Sequence, residues 1–93
     1  MGKLQEMKQK AEEVKSRLEE TLISVEGAGG DITVSITGSR KVKSLQISSS
    51  LQHGNKEELE EQLLVTLNKA IEKADKVNEE EMKKAAGGLL PGL

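Results

Sequence analysis

A β-strand pattern in the middle of the chain limits the available folds most strongly. Within residues 31–48, Ile32, Val34 and Ile36 alternate with Thr and Ser, which is the two-residue period of a strand with one buried face. The sequence GSRK at 38–41 interrupts the pattern, and an extended pattern resumes after it. The stretch predicts a hairpin. Because a two-stranded hairpin alone is marginally stable in water, other elements must cover its apolar face.

The residues available for a core are few and aliphatic. The chain has 93 residues, of which 34% are apolar, and it contains no Phe, Tyr or Trp. Because aromatic side chains bury the largest areas, we expect one small domain with a thin core, which usually needs disulfides, a metal or oligomerisation for stability. The absence of cysteine and the single histidine argue against disulfides and a zinc site. The sequence therefore predicts a homodimer without a metal or cofactor.

The composition also disfavours several function classes. No apolar run approaches the ~20 residues of a membrane span, and the polar N-terminus MGKLQEMKQK is unlike a signal peptide, so we expect a cytoplasmic protein without a membrane partner. No nucleophile–base constellation is visible, which argues against an enzyme, catalytic residues and a small-molecule substrate. The formal net charge of −2 does not favour nucleic acid, so any DNA binding must depend on local charge.

Residues 3–20 follow the heptad pattern of an amphipathic helix. The apolar seam consists of Leu4, Met7, Ala11, Val14 and Leu18. Basic residues border the seam at Lys3, Lys8, Lys10, Lys15 and Arg17. The five glutamates of this segment lie on the outer side. Two interpretations stay open: the bases pair with acids on the helix against which the seam packs, or they form a strip for an acidic partner such as phosphate.

Three short strands are predicted after this helix. Residues 21–26 are rich in β-branched residues, with Ile23 and Val25 on the buried face, and residues 27–30 form a glycine-rich turn with positive φ angles. This turn lacks the Lys-Ser/Thr of a phosphate-binding loop and no helix follows it, which argues against nucleotide binding. The expected strands, 21–26, 31–37 and 41–48, form a three-stranded antiparallel meander.

The turn of the second hairpin is basic. Arg40, Lys41 and Lys43 place three positive charges within four residues, with no acidic residue beside them in the sequence. Such a turn either binds phosphate or is ordinary solvated surface, and both interpretations stay open.

Residues 56–86 are predicted to form one long helix. Asn55 is a good N-cap, and Glu58 three residues later is typical of a capping box. The seam consists of Leu63, Leu67, Ala70, Ala74 and Val77, widened by Leu64 and Ile71. The helix would measure about 46 Å, whereas a globule of this size has a radius of gyration of about 12 Å. The part after Val77 is therefore expected to project or to pack on a partner chain, and residues 87–93 to form a flexible tail.

The order of these elements and several local motifs resemble the YbaB/EbfC family of small bacterial nucleoid-associated proteins, over essentially the whole chain. The motifs are the first helix MKQKAEEVKSRLEE, the turn and hairpin GAGGDITVSITGSRKVKSLQIS, the second helix VTLNKAIEKADKVNEEEMKK and the ending GGLLPGL. The most specific part is the β-branched strand followed by glycine, a short basic turn and V-x-x-L-x-I.

The resemblance implies an α-β-β-β-α subunit that dimerises through its sheet and helices, with the paired helices projecting like the arms of tweezers. It also implies binding of duplex DNA with low sequence specificity, and a role in nucleoid organisation or gene regulation, in the cytoplasm at the nucleoid. The projecting helices are the expected site of DNA contact.

Because the chain has no aromatic residues to stack on single-stranded nucleic acid, we expect mainly phosphate contacts by Lys and Arg. The candidates are Lys3, Lys8, Lys10, Lys15, Arg17, Arg40, Lys41, Lys43, Lys76, Lys83 and Lys84. Glu79, Glu80 and Glu81 oppose such binding, so the expected affinity is modest. The alternative function is a protein-interaction module whose projecting helices grip another polypeptide, which the net negative charge and the apolar tail favour.

Overall fold

A computed structural model describes residues 2–48 and 55–89, with the side chains of the last helix described as far as Ala85. The elements in chain order are α1 (Gly2–Glu20), β1 (Leu22–Gly27), a 3-10 turn (Ala28–Gly30), β2 (Ile32–Thr37), β3 (Val42–Ile47) and α2 (Lys56–Leu89). The predicted α+β class and the α-β-β-β-α order are confirmed. Residues 90–93 of the expected flexible tail lie outside the described residues.

The three strands form one antiparallel sheet in the order β1-β2-β3. The central strand β2 supplies Ile32, Val34 and Ile36, which are fully buried, as expected of β-branched residues on the covered face of a sheet. Val25 of β1 lies opposite Val34, and Ile23 lies opposite Ile36. Because residues directly opposite each other share a face, Ile23 and Val25 both lie on the core side, which confirms the predicted buried face of β1.

The helix α2 covers this apolar face along β1 and β2. Ala70 and Ala74 have no exposed surface and pack directly on the strands, together with the half-buried Leu59, Leu63 and Leu67. A single helix thus provides most of the cover for an aliphatic core, and small side chains at its centre let its backbone approach the sheet closely.

Contacts at either side of α2 identify its two flanks. On one flank, the ammonium group of Lys69 donates a hydrogen bond to the carbonyl oxygen of Glu26 in β1 at 3.4 Å. On the other flank, the side-chain amide of Asn78 donates to the carbonyl oxygen of Gly38, in the turn between β2 and β3, at 3.4 Å. The first flank therefore faces β1, and the second faces the turn between β2 and β3.

Two seam residues of α2 do not occupy the predicted position. Leu64 and Ile71 were predicted to widen the buried stripe, but they are 62% and 41% exposed. They lie seven and fourteen residues before Asn78 and therefore share its flank. Because α2 packs mainly over β1 and β2, this flank extends past the strands that the helix covers, and its side chains stay exposed.

The strand β3 is the least covered part of the sheet. Leu45 lies opposite Val34 and Val42 lies opposite Ile36, so both point to the face that carries the core, yet each is 45% exposed. We call Val42, Leu45, Leu64 and Ile71 the open apolar surface. This surface extends the core beyond the edge of α2.

The helix α1 packs mainly against the late part of α2. Val14 and Leu18 of the predicted seam are buried, with 1% and 2% exposure. Leu4 and Met7 of the same seam are 81% and 49% exposed. The heptad prediction is therefore correct for the second half of α1, and the first half presents an apolar seam to solvent.

The predicted start of α2 is correct, and its predicted end is not. The side-chain oxygen of Asn55 accepts a hydrogen bond from the backbone N–H of Glu57 at 2.8 Å, which confirms the N-cap. The helix was expected to end at residue 86, but it continues through Gly87 and Gly88 to Leu89. A glycine costs a helix about 1 kcal/mol relative to alanine, but it keeps its N–H donor, so it weakens the helix without ending it. The 34 residues of α2 measure about 51 Å.

The glycine-rich turn between β1 and β2 has the predicted backbone. Gly29 and Gly30 have φ angles of 69° and 99°, a region that glycine enters without steric cost. Ala28 also has a positive φ of 52°. The close reversal brings β1 and β2 into register immediately after the turn.

Replacement of Gly27 by Ala is expected to destabilise the fold by about 1–3 kcal/mol, the usual cost of overpacking a core. A Cβ atom at Gly27 would lie 1.9 Å from the side-chain oxygen of Thr66 and 2.9 Å from its Cβ. The Thr66 hydroxyl is held in place because it donates to the carbonyl of Gln62 at 2.7 Å, and Thr66 is 1% exposed.

The measurement is urea unfolding followed by circular dichroism at one protein concentration. The control is Gly2→Ala, since a Cβ at Gly2 has no neighbour within 4 Å. Equal midpoints for the Gly27→Ala and Gly2→Ala variants would contradict the close contact between β1 and α2.

Candidate nucleic-acid interface

The basic residues of α1 lie on the exposed part of an arm that projects from the sheet. All five predicted bases are exposed: Lys3, Lys8, Lys10, Lys15 and Arg17. Arg17 forms an ion pair with Glu81 of α2, with 3.5 Å between its Nε and the carboxylate oxygen. Among the described residues, no acidic side chain lies within 4.0 Å of the four lysines. Each of the two interpretations therefore fits some of these bases. Arg17 pairs with the neighbouring helix, and the four lysines are available to a partner.

The helix α2 carries a row of lysines on the flank that faces β1, beginning beside the sheet at Lys69 and continuing along the projecting part. Spacings of four, three and seven residues keep Lys69, Lys73, Lys76 and Lys83 on one side of the helix, and all four are exposed. We call these four residues the lysine stripe. The exposed Glu80 lies on the same side, between Lys76 and Lys83, and reduces the net positive charge there. Sequence reasoning selected Lys76 and Lys83 but missed Lys69 and Lys73, although the same spacing was visible in the sequence.

The acidic residues late in α2 do not act as one group. Glu81 is turned toward α1, where its side chain is 21% exposed and pairs with Arg17, and its other oxygen lies 3.9 Å from the ammonium group of Lys84. Glu79 and Glu80 remain exposed. The carboxylate of Glu81 is thus partly neutralised by the arm itself, and Lys84 is drawn toward it.

The basic turn between β2 and β3 is fixed to α2. Arg40 forms an ion pair with Asp75, an acid that is distant in sequence and was not expected beside the turn. Within the turn, the hydroxyl oxygen of the buried Thr37 accepts a hydrogen bond from the backbone N–H of Lys41 at 3.1 Å. The Thr37 hydroxyl also lies 2.8 Å from that of Ser39. The contacts of Thr37 stabilise the turn itself, and the ion pair of Arg40 holds the turn against α2 at Asp75.

The structure does not gather all the predicted contact residues into one patch. Arg40 contacts Asp75 on the β3 side of α2, whereas Lys69 of the lysine stripe contacts β1 on the other side. Lys41 and Lys43 are exposed in the neighbourhood of the turn. The chain therefore presents two separate basic regions, one on the arms and one at the turn.

The part of the chain that the structure describes offers little else for chemistry. Within residues 2–48 and 55–89, no group of three or more His, Cys, Asp and Glu side chains is placed to hold a metal ion. None of the helices there is both long enough and apolar enough to cross a membrane.

The backbone of the basic turn leads to a test that separates charge from conformation. Arg40 has a φ angle of 69°, which costs an L-residue about 1 kcal/mol or more and costs glycine almost nothing. Arg40→Ala and Arg40→Gly both remove the ion pair, which is exposed and therefore contributes about 0–1 kcal/mol. We expect the Gly variant to be about 1 kcal/mol more stable than the Ala variant.

Urea unfolding of the two variants at equal protein concentration measures this difference. Equal stabilities would show that the turn does not hold residue 40 in the left-handed region.

Known proteins share both the sequence and the fold. Residues 1–89 match the model of the YbaB/EbfC DNA-binding family. A "Nucleoid-associated protein" of Flavobacterium johnsoniae is 47% identical over 93 residues, covering 100% of this chain and 87% of the relative. A protein of the same name from Chloroflexus aurantiacus is 36% identical over 90 residues, covering 96% of this chain and 90% of the relative.

A solved structure supports the same conclusion. The crystal structure of the uncharacterized protein HP0035 from Helicobacter pylori superimposes with a TM-score of 0.71 at 28% sequence identity, covering 92% of this chain and 87% of that one. The family match extends over nearly the whole chain, and the element order is the one that the resemblance implied. The chain belongs to the YbaB/EbfC DNA-binding family.

Proposed function

We propose that this protein is a dimeric nucleoid-associated protein that binds duplex DNA with low sequence specificity, through phosphate contacts from lysines on its projecting helices. The observation that carries the proposal is the lysine stripe. No acidic side chain of the described residues lies within 4.0 Å of Lys69, Lys73, Lys76 or Lys83. Family membership and the names of the relatives support the same function.

The length of the stripe suits the backbone of a duplex. From Lys69 to Lys83 the helix rises about 21 Å, a distance over which one DNA strand presents about six phosphates. The lysines of α1 lie on the adjacent arm, so both helices present positive charge. Flexible lysine side chains bind phosphates without reading bases, which is why we propose low sequence specificity.

The proposed role in nucleoid organisation or gene regulation follows from such binding. A protein that contacts the backbone alone binds at many sites along a chromosome, and its occupancy is governed by its concentration and by salt. The same reasoning supports a location at the nucleoid, as the names of the relatives indicate for those proteins.

A titration of a labelled random-sequence duplex at two salt concentrations tests the proposal. We expect affinity to fall steeply as salt rises, with a log–log slope of about −0.9 for each phosphate contact. Fluorescence anisotropy measures both quantities. Absence of binding at low salt would refute the proposed function.

Single lysine variants test the location of the contact. Lys76→Gln is expected to weaken binding uniformly across duplex sequences and to reduce the salt slope by about 1 per binding surface. The matched control is Lys56→Gln, which removes the same charge from the opposite end of α2, where Lys56 is 88% exposed. If both variants lose affinity equally, net charge rather than the arm accounts for binding.

The open apolar surface supports the dimer. Val42, Leu45, Leu64 and Ile71 are all between 41% and 62% exposed, and they continue the apolar face of the sheet beyond α2. Because these side chains are already about half buried, their burial against a second copy would contribute roughly 0.7–1.5 kcal/mol each. A thin aliphatic core gains most from such cover, so we propose that two copies meet at this surface.

Charge substitutions on the two faces of β3 test this interface. Leu45→Glu places a carboxylate on the open apolar surface and is expected to convert the dimer to a monomer at micromolar concentration. Gln46→Glu is the matched control, because Gln46 lies opposite Thr33 on the other face of the sheet and is also exposed.

Sedimentation velocity measures the oligomeric state of the two variants and the parent chain. A stable, folded monomer for the parent chain would refute the dimer. Dissociation by Gln46→Glu alone would place the interface on the other face of the sheet.

A further inference from the structure

We infer that the first half of α1 is a docking site for an acidic amphipathic helix of another protein. This site consists of an exposed apolar seam, formed by Leu4, Met7 and Ala11, together with the lysines that border it. The inference goes beyond DNA binding, since phosphate contacts require the lysines but give no reason for the seam.

The exposed seam has the residue pattern of a helix-pairing surface, but no described part of the chain covers it. Val14 and Leu18 continue the same heptad positions and are 1% and 2% exposed against the fold, whereas Leu4 is 81% and Met7 49% exposed. One stripe is therefore buried at one end of α1 and open at the other. Large apolar side chains in heptad register are the residues with which helices pack against helices.

The charges around the seam define the kind of partner. Lys3 and Lys10 border it on one side and Lys8 on the other, and none of them has an acidic side chain within 4.0 Å among the described residues. In paired helices, the residues that flank the seam face the flanking residues of the partner. The complementary partner is therefore a helix with an apolar seam bordered by Asp or Glu.

The same charges disfavour a second copy of this helix. If two α1 helices met along their seams, lysines would face lysines on both sides of the contact, because basic residues border the seam on both sides. The chain's own C-terminal sequence is also a poor match, since residues 85–93 contain no acidic side chain. Of these three occupants, a second α1, the chain's own C-terminal residues and a foreign acidic helix, the foreign acidic helix has the best charge complementarity.

A lipid surface fits the seam less well. Helices that lie in a membrane interface have a broad apolar face that is rich in Trp, Phe or Leu. The exposed part of α1 has a narrow stripe restricted to two heptad positions and no aromatic residue, which is the pattern of a helix-pairing seam.

The test uses the full chain and a designed peptide probe. The probe is a fluorescein-labelled heptad peptide with Leu at the seam positions and Glu at the flanking positions, and its partner probe is a permuted peptide of identical composition without the heptad. We expect salt-sensitive binding of the heptad peptide, measured by anisotropy, and at least about tenfold weaker binding of the permuted peptide.

Substitutions on two faces of α1 locate the contact. Leu4→Ser/Met7→Ser removes the seam without changing charge, and we expect it to weaken peptide binding by at least about tenfold while duplex DNA binding is retained. The matched control is Gln5→Ser/Gln9→Ser, which alters exposed residues on the outer face of the same helix. Circular dichroism verifies that α1 stays helical in both variants.

Several outcomes would overturn the inference. Equal binding of the heptad and permuted peptides would indicate charge attraction alone, and equal binding by the seam and control variants would place the contact elsewhere. Seam-dependent binding to anionic phospholipid vesicles without peptide binding would assign α1 to a membrane surface. Peptide binding that appears only in a Leu90→Ser/Leu93→Ser variant would assign the seam to the chain's own tail. Failure of DNA binding bears on the proposed function and leaves this comparison intact.

Discussion

The packing of α2 over two of the three strands is the contact on which the rest of the structure depends. Ala70 and Ala74 bring the helix close to β1 and β2, and these two strands contribute the buried residues of the core. No aromatic side chain is available to widen that core. The third strand is therefore left with its apolar residues half exposed, and the subunit contact that we propose would cover them.

The arms follow from the length of the helices. The core occupies only part of α2, and the remainder extends beyond the sheet, where α1 runs along it and is secured by Val14, Leu18 and the ion pair between Arg17 and Glu81. The molecule extends 60 Å in its longest direction and 21 and 16 Å in the others. This elongated shape exposes more surface than a sphere of the same volume. The residues on the extended parts of the helices contribute little to the core and can therefore carry charge.

Much of this fold was predictable from the sequence, because the local patterns agree with the packing. The alternation at Ile32, Val34 and Ile36 identified the central strand, and Asn55 identified the start of α2. The exposure of Leu64 and Ile71 was not predictable, because hydrophobic periodicity shows which face of a helix is apolar but not how many strands lie beneath it. The end of α2 was missed because glycine weakens a helix without ending it.

The candidate site was less predictable than the fold. Counting charges selected residues on both arms and at the turn, but it did not show that Asp75 meets Arg40 across 35 residues of sequence or that Glu81 turns toward α1. Such pairs depend on tertiary contacts. The helical spacing in the sequence is enough to place Lys69 and Lys73 on the same side of α2 as Lys76 and Lys83. The contact between Lys69 and Glu26 then shows that this side faces β1.

The continuity of α2 has a mechanical consequence. One uninterrupted helix contains Ala70 in the core, the exposed Ile71 beside it and Lys83 of the lysine stripe. If the subunits meet at Ile71 as we propose, a rotation of the helix about that contact moves Lys83. Lys83 lies about 18 Å along the axis from Ile71, so a rotation of about 5° at that contact would move it by about 1.5 Å. In a pair of subunits, the gap between opposing arms would then be set by packing at the root of the helix, and small changes in the side chains there would be amplified at the tips.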